Sequence, residues 1–177
     1  MIQSGIFDSI NMNIKKITNS ILLFIAKRLA EIFGILILIS GILLLISLIS
    51  YSPEDPNFIF PENTNIKNLL GFRGSYISDL FFQSIGLISY LFSLTLIFTG
   101  FNISLSKDLF LIIENIFYSI FYSILGSSFF NYFYDSTFAL FINGNGGFVG
   151  GYINENLLTK LITLNENISF YLLIILI

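Results

Sequence analysis

Apolar and polar residues fall along this chain in long blocks, and the blocks set its organisation. From Ile32 to Ser50 no residue carries a charge, and nearly every side chain is Ile, Leu or Phe. An uncharged apolar stretch of about 18 residues or more is a transmembrane-helix candidate, because a hydrocarbon core roughly 30 Å thick needs about 20 residues at 1.5 Å each. The block ends at Tyr51-Ser52-Pro53-Glu54-Asp55-Pro56. Two prolines there remove backbone donors and push the residues before them out of helical geometry. Lipid cannot satisfy the freed backbone groups, so this break belongs in water or inside protein.

Continued along the chain, the pattern predicts a first span at 29–50 and a polar connection at 51–79 that holds Pro53, Pro56 and Pro61 with Gly71 and Gly74. A second span follows at 80–101, which covers roughly 33 Å as helix. The short hinge 102–108 forces a third span, 109–131, to run antiparallel to the second. Residues 132–167 are polar and glycine-rich, and a fourth apolar run opens at Ile168 and reaches Ile177. Ten helical residues cover only about 15 Å, half the hydrocarbon thickness. The expectation is therefore an all-α integral membrane protein with four transmembrane helices, the fourth truncated at the C-terminus of a piece of a longer protein.

Residues 1–28 are mixed in character. Lys15, Lys16, Lys27 and Arg28 cluster ahead of the first span, and Ile10, Ile14, Ile17, Ile21 and Ile25 recur at spacings of three and four. That spacing fits a short interfacial amphipathic helix, and equally an isoleucine-rich tail. The apolar run that follows is longer than the roughly 7–15 residues of a signal peptide and lacks a small-x-small cleavage site, so it reads as a retained helix. Orientation follows from loop Lys and Arg. A cytoplasmic N-terminus puts Lys15, Lys16, Lys27, Arg28 and Lys107 inside and Lys67, Arg73 and Lys160 outside. The segments 51–79 and 132–167 then lie on the external side.

Composition narrows the chemistry. The chain is 55% hydrophobic and 11% charged, with mean hydropathy +0.85; soluble domains carry about 25% charged residues, so it lacks the polar surface of a soluble globule. Net charge is -3 with scattered basic residues, which leaves no electrostatic footprint for nucleic acid. Cysteine and histidine are both absent, which removes disulfides, thiolate chemistry, the commonest metal ligand and the usual general base. No residue is assigned a catalytic, cofactor-binding or metal-binding role. The 21 Phe read as lipid-facing filler.

Five features invite sharper readings. Glu114 is the one acid well within a predicted span, and intramembrane carboxylates often mark ion paths; with Gln83 it supports the alternative of a small channel or transporter subunit. It also lies only about one and a half turns from Asp108, close enough to an interface for hydration. The run Gly144–Gly151 lacks the Lys-Ser/Thr pair and preceding strand of a phosphate loop, and reads as a flexible loop able to turn tightly. Asn102-Ile-Ser104 and Asn167-Ile-Ser169 match a glycosylation triplet that a chain rich in Asn and Ser produces by chance. Ser75, Ser78 and Asp79 at the start of the second span read as capping groups at a positive helix end. Gly34, Gly41, Gly86 and Gly100 permit close helix packing, although none forms a Gly-x-x-x-Gly pair within a span.

From Lys27 onward the order of features resembles the N-terminal membrane domain of the FtsK/SpoIIIE family of bacterial DNA translocases. The resemblance rests on Ser50-Tyr-Ser-Pro-Glu-Asp-Pro-Asn57 after the first span. It also rests on Asn68-Leu-Leu-Gly-Phe-Arg-Gly-Ser-Tyr-Ile-Ser-Asp-Leu-Phe-Phe-Gln-Ser-Ile-Gly86 leading into the second, and on Gly146-Gly-Phe-Val-Gly150 before the fourth. It covers roughly 27–177. It implies four helices with both termini cytoplasmic, in the bacterial inner membrane at the division septum, contacting lipid and other cell-division membrane proteins. A linker and a hexameric ATP-driven DNA motor would follow, so ATP, magnesium, DNA binding and any hexamer belong to that motor; the chain itself is expected to hold no cofactor and to be no enzyme. The residues implied as structural or partner-contacting are Tyr51, Pro53, Asp55, Pro56, Arg73, Gly74, Asp79, Gln83, Gly86, Gly146, Gly147 and Gly150, with 51–79 as the main contact surface.

Overall fold

A computed structural model describes residues 2–56, 65–134 and 143–160, with side chains from Lys15 onward apart from Leu158. Helix α1 runs Ile2–Ile49 as one piece of 48 residues, about 72 Å at 1.5 Å per residue. Neither glycine nor proline occurs between Gly5 and Gly34 to interrupt it. The expected boundary at residue 29 between a separate N-terminal segment and the first span is therefore not seen. Every side chain from Lys15 to Leu29 is exposed, Ile17, Ile21 and Ile25 included; the side chains of Ile10 and Ile14 lie outside the described residues.

The second predicted span is corrected more strongly. Instead of one helix over 80–101, the chain forms α2 at Gly71–Ile85 and α3 at Ile88–Ser106. Gly86 takes a positive φ of 62° between them, a conformation open to glycine because it has no Cβ. Helix α2 also starts well inside the predicted loop 51–79. The Asn68 side chain accepts from the Leu70 amide at 3.0 Å and the Asn68 carbonyl from the Gly71 amide at 2.9 Å, a local turn of the kind Asn favours. Asp79 is thus no cap: it sits mid-helix and is buried.

Helix α3 lies antiparallel to α1 at a backbone distance that only glycine permits. A Cβ on Gly34 would stand 2.6 Å from the Ser104 amide nitrogen, and one on Gly41 would stand 2.8 Å from that of Ile97. Close approach of this kind is how helices associate in lipid, where burial of apolar area drives nothing. Lys107, with a φ of 61°, donates its amide to the Ile103 carbonyl and ends α3, while Asp108 accepts from the Phe110 amide at 2.9 Å. Helix α4, Phe110–Tyr134, then returns antiparallel, as the short hinge requires. Part of the predicted loop 132–167 is helical: α5 covers Gly147–Ile153, and a π-helical turn covers Asn154–Leu158. The predicted fourth helix, 168–177, falls outside the described residues. Among the described residues there is no strand.

Among the described residues, three helical stretches are long and apolar enough to cross a membrane, Lys15–Ile49, Ile88–Ser106 and Phe110–Tyr134. What is buried agrees with a lipid solvent. The core cluster is small (Leu44, Leu48 and Phe82), while Ser47, Ser75, Ser78, Ser89, Ser93, Ser119, Ser123, Ser127 and Ser128 are all buried. Phe98, Phe101, Phe110, Ile113 and Phe117 face outward. A water-soluble monomer rarely shows apolar patches of that extent.

Candidate functional site

The Pro-rich turn after α1 and the first turns of α2 close on each other as one buried polar joint. Helix α1 ends where Ser50 turns its hydroxyl back to the Ile46 carbonyl at 2.7 Å. The chain then folds over so that the Asp55 carboxylate accepts from two backbone amides, Lys67 and Asn68, each at 2.8 Å. Asp55 and Asn68 are both 4% exposed, so these charge-assisted bonds replace water that the carboxylate has lost. Asn68 donates from its side chain to the Ser47 carbonyl at 2.9 Å. Ser47 in turn donates to the Gly74 carbonyl at 2.5 Å, and Ser75 donates to the Pro56 carbonyl at 2.5 Å. Gly74 has no room for a side chain: a Cβ would meet Leu70 at 2.5 Å and the Asn68 carboxamide closer still.

A second layer of the joint holds Asp79. The Tyr51 hydroxyl donates to its carboxylate at 3.1 Å, and Gln83 reaches the same oxygen at 3.5 Å. Edge contacts of Phe82 with Tyr51 and Tyr90, centroids 4.9 and 5.5 Å apart, close the apolar side. Burial pushes the Tyr51 phenol well above its ordinary value, and the nearby Asp79 and Asp55 charges add to it. Outside, on the exposed rim, Lys67 pairs with Glu54. Their hydrogen bond holds the Glu54 carboxyl below its ordinary range and the Lys67 ammonium above its own.

A second joint forms where α2 breaks from α3. The Leu87 amide, freed by the break, donates to the Asn145 carbonyl at 2.9 Å. Ser127 of α4 donates to the freed Ile85 carbonyl at 2.9 Å, and Asn143 to that of Gln83 at 3.2 Å. The glycine run supplies the proximity. A Cβ on Gly147 would stand 2.6 Å from the Gly86 amide nitrogen, one on Gly146 2.6 Å from the Asn131 side chain, and one on Gly150 2.7 Å from the Ser127 carbonyl carbon. Asn145 is fully buried; it donates to the Tyr134 carbonyl, while its side-chain oxygen has no partner among the described residues.

The twelve residues singled out in the sequence thus divide. Tyr51, Asp55, Pro56, Gly74, Asp79 and Gln83 meet in the first joint, and Gly86, Gly146, Gly147 and Gly150 in the second. Pro53 and Arg73 are exposed. Sequence reasoning passed over Asn68, Ser47, Ser127 and Asn145, although Asn68 ahead of Leu-Leu-Gly carried a turn signal. Glu114 and Gln83 share no site. Glu114 is exposed on α4, about 20 Å along the helix axis from Ser127, which bonds beside Gln83 at the α2 break. Among the described residues no three acidic side chains converge on a metal-sized space.

A family model described as the 4TM region of DNA translocase FtsK/SpoIIIE matches residues 26–177. The chain belongs to this family. It is 33% identical over 87 residues to the DNA translocase FtsK of Azospirillum brasilense, a stretch that covers 48% of this chain and 14% of that protein. To FtsK of Rickettsia typhi it is 33% identical over 84 residues, 46% of this chain and 11% of the relative. To FtsK of Rickettsia prowazekii it is 32% identical over 83 residues, with 46% and 11% covered. The matched part therefore spans a small fraction of these FtsK relatives' length. No solved structure matches. With its apolar helices, the FtsK/SpoIIIE assignment makes this chain a multi-pass inner-membrane protein.

Proposed function

We propose that this chain is the membrane-anchoring and division-site assembly part of a DNA translocase, and that it has no chemistry of its own. ATP, magnesium and DNA belong, in this reading, to a motor elsewhere in the parent protein. The fourth apolar run at 168–177 would complete a four-helix anchor with both ends in the cytoplasm.

The observation that carries the reading is the Asp55 clasp on the amides of Lys67 and Asn68. It holds the two described ends of the connection between α1 and α2, 51–56 and 65–70, against the helices. Anchored ends leave less ordering entropy to be lost on binding than free ones do. A surface of that kind suits recognition by another membrane protein of the division machinery better than it suits transport or catalysis.

The test exchanges residues 52–70 for a neutral linker of equal length in the full-length parent, leaving α2 intact from Gly71. Fluorescently tagged protein should still insert in the membrane and should lose its enrichment at the division septum. Undiminished septal enrichment would reject the assembly role of this surface.

A further inference from the structure

Between α1, α2 and α3 lies an open groove of about 500 Å³. Its walls are Leu43, Leu44, Ile77, Phe81 and Leu96, with Arg73 at one end. Two serines also line it, but each has turned its hydroxyl to backbone: Ser40 to the Leu36 carbonyl and Ser47 to the Gly74 carbonyl. The groove is therefore apolar throughout, except at its Arg73 end. From Gly74, opposite Ser47, down to Ser40 it follows α1 for roughly 10 Å.

Arg73 makes no ion pair among the described residues. Among the described residues, the carboxylates of this connection and of α2 are engaged elsewhere: Asp55 with the Lys67 and Asn68 amides, Asp79 with Tyr51 and Gln83, and Glu54 with Lys67. Arg73 shares the first turns of α2 with Phe72 and Tyr76, whose rings lie 6.4 Å apart. Exposed Leu69 and Phe72 flank it. Aromatic and apolar side chains grouped around one cation at a helix start mark the level of lipid headgroups. An unpaired cation at that depth is costly, and a guanidinium fork matches the geometry of a phosphate.

We infer that this groove seats one anionic phospholipid, its acyl chain along Leu43, Leu44, Ile77, Phe81 and Leu96 and its phosphate on Arg73. Charge complementarity selects the class. With the described carboxylates of this region already engaged, a headgroup carrying net negative charge finds a partner here, and the ammonium of a zwitterionic one does not. The groove and its cation act together, which separates this site from the general coat of lipid around the helices.

Native mass spectrometry of the 177-residue chain in detergent, with added phosphatidylglycerol or phosphatidylcholine, tests this. The wild-type chain should retain phosphatidylglycerol preferentially. Arg73→Gln should reduce that preference about fivefold, the effect of one basic residue on an anionic lipid, whereas Arg73→Lys should keep much of it. Ile77→Trp, which fills the groove and leaves Arg73 in place, should lower retention of both lipids. Circular dichroism verifies that each variant stays helical; should Arg73→Gln unfold, the comparison of Ile77→Trp with wild type decides. Equal phosphatidylglycerol retention in wild type, Arg73→Gln and Ile77→Trp would overturn the inference, and so would paired chains free of lipid, which would assign the groove to a second copy.

Discussion

Removing the Asp55 carboxylate should loosen the outer joint by a calculable amount. Its two oxygens accept from the Lys67 and Asn68 amides, both at 2.8 Å, in a site where Asp55 is 4% exposed. Hydrogen bonds to charged groups contribute about 1.5–3 kcal/mol each. The lower figure is appropriate, because Asp55→Ala also relieves the desolvation of a buried charge; two bonds then amount to about 3 kcal/mol. At 1.4 kcal/mol per decade, the local opening equilibrium should rise about 100-fold. Asp55→Asn keeps one acceptor for one amide, so its effect should be about tenfold. Amide hydrogen exchange on the chain in nanodiscs reads this directly at Lys67 and Asn68, with α3 amides as internal reference. Exchange at Asn68 that changes by less than about threefold in Asp55→Ala would refute the claim that this carboxylate holds the connection.

Gly86→Ala should destabilise the chain in detergent by about 2–4 kcal/mol, from a backbone conformation (φ 62°, ψ -140°) that essentially only glycine adopts and from overpacking, since its Cβ would strike the Asn145 carbonyl. Gly71→Ala has nearly the same φ, +64°, with nothing within 4 Å, so it should cost only about 1–2 kcal/mol; equal losses in thermal unfolding would contradict the joint at Gly86. Gly100→Ala places a Cβ 2.6 Å from the Gly34 carbonyl oxygen and should destabilise by about 1–3 kcal/mol, with α1 and α3 forced apart in cysteine-crosslinking distances. The Tyr51 phenol ionises at higher pH in the folded chain than free. The stability it contributes is therefore complete below the ordinary phenol value, about 10, and is lost as pH rises beyond it. Tyr51→Phe should flatten that alkaline decline in pH-dependent unfolding, and an unchanged slope would remove Tyr51 as its cause.

The spans were legible because a lipid solvent asks for length and apolarity, which Ile32–Ser50 displays without any periodicity to decode. The exit at Pro53 and Pro56 was legible because proline states its constraint locally. The break at Gly86 was not. A lone glycine in an apolar run is tolerated within helices as often as it ends them, and the partner that stabilises this break, the Asn145 carbonyl, lies far along the chain. The start of α2 was hidden likewise: Gly71 and Gly74 read as loop residues, yet Gly74 lies within α2, where Asn68 and Leu70 leave no room for a Cβ. Asp79 and Ser78 carried the composition of a cap and were placed as one. Their tertiary partners, Tyr51 for Asp79 and Asn68 for Ser78, make them parts of a buried network that no local rule reports.

The clasp also explains how two separate sequence motifs can act as one structural unit. Within 50–57 it is Asp55 that reaches out, and within 68–86 it is Asn68 and Ser75 that receive the chain, through Asp55 and the Pro56 carbonyl. The joint then depends on each motif internally and only weakly on the length of chain between them. Loop closure makes this quantitative: doubling a flexible connection costs about 0.6 kcal/mol, against about 3 kcal/mol from the clasp. Inserting a Gly-Ser stretch at residue 60 should therefore leave exchange at Asn68 within about threefold of wild type. Inserting a single glycine between Asp55 and Pro56 should release it as fully as Asp55→Ala, because the carboxylate and the Pro56 carbonyl could no longer meet Asn68 and Ser75 together. The reverse ranking of the two insertions would show that the connection itself, rather than the clasp, sets the shape of this surface.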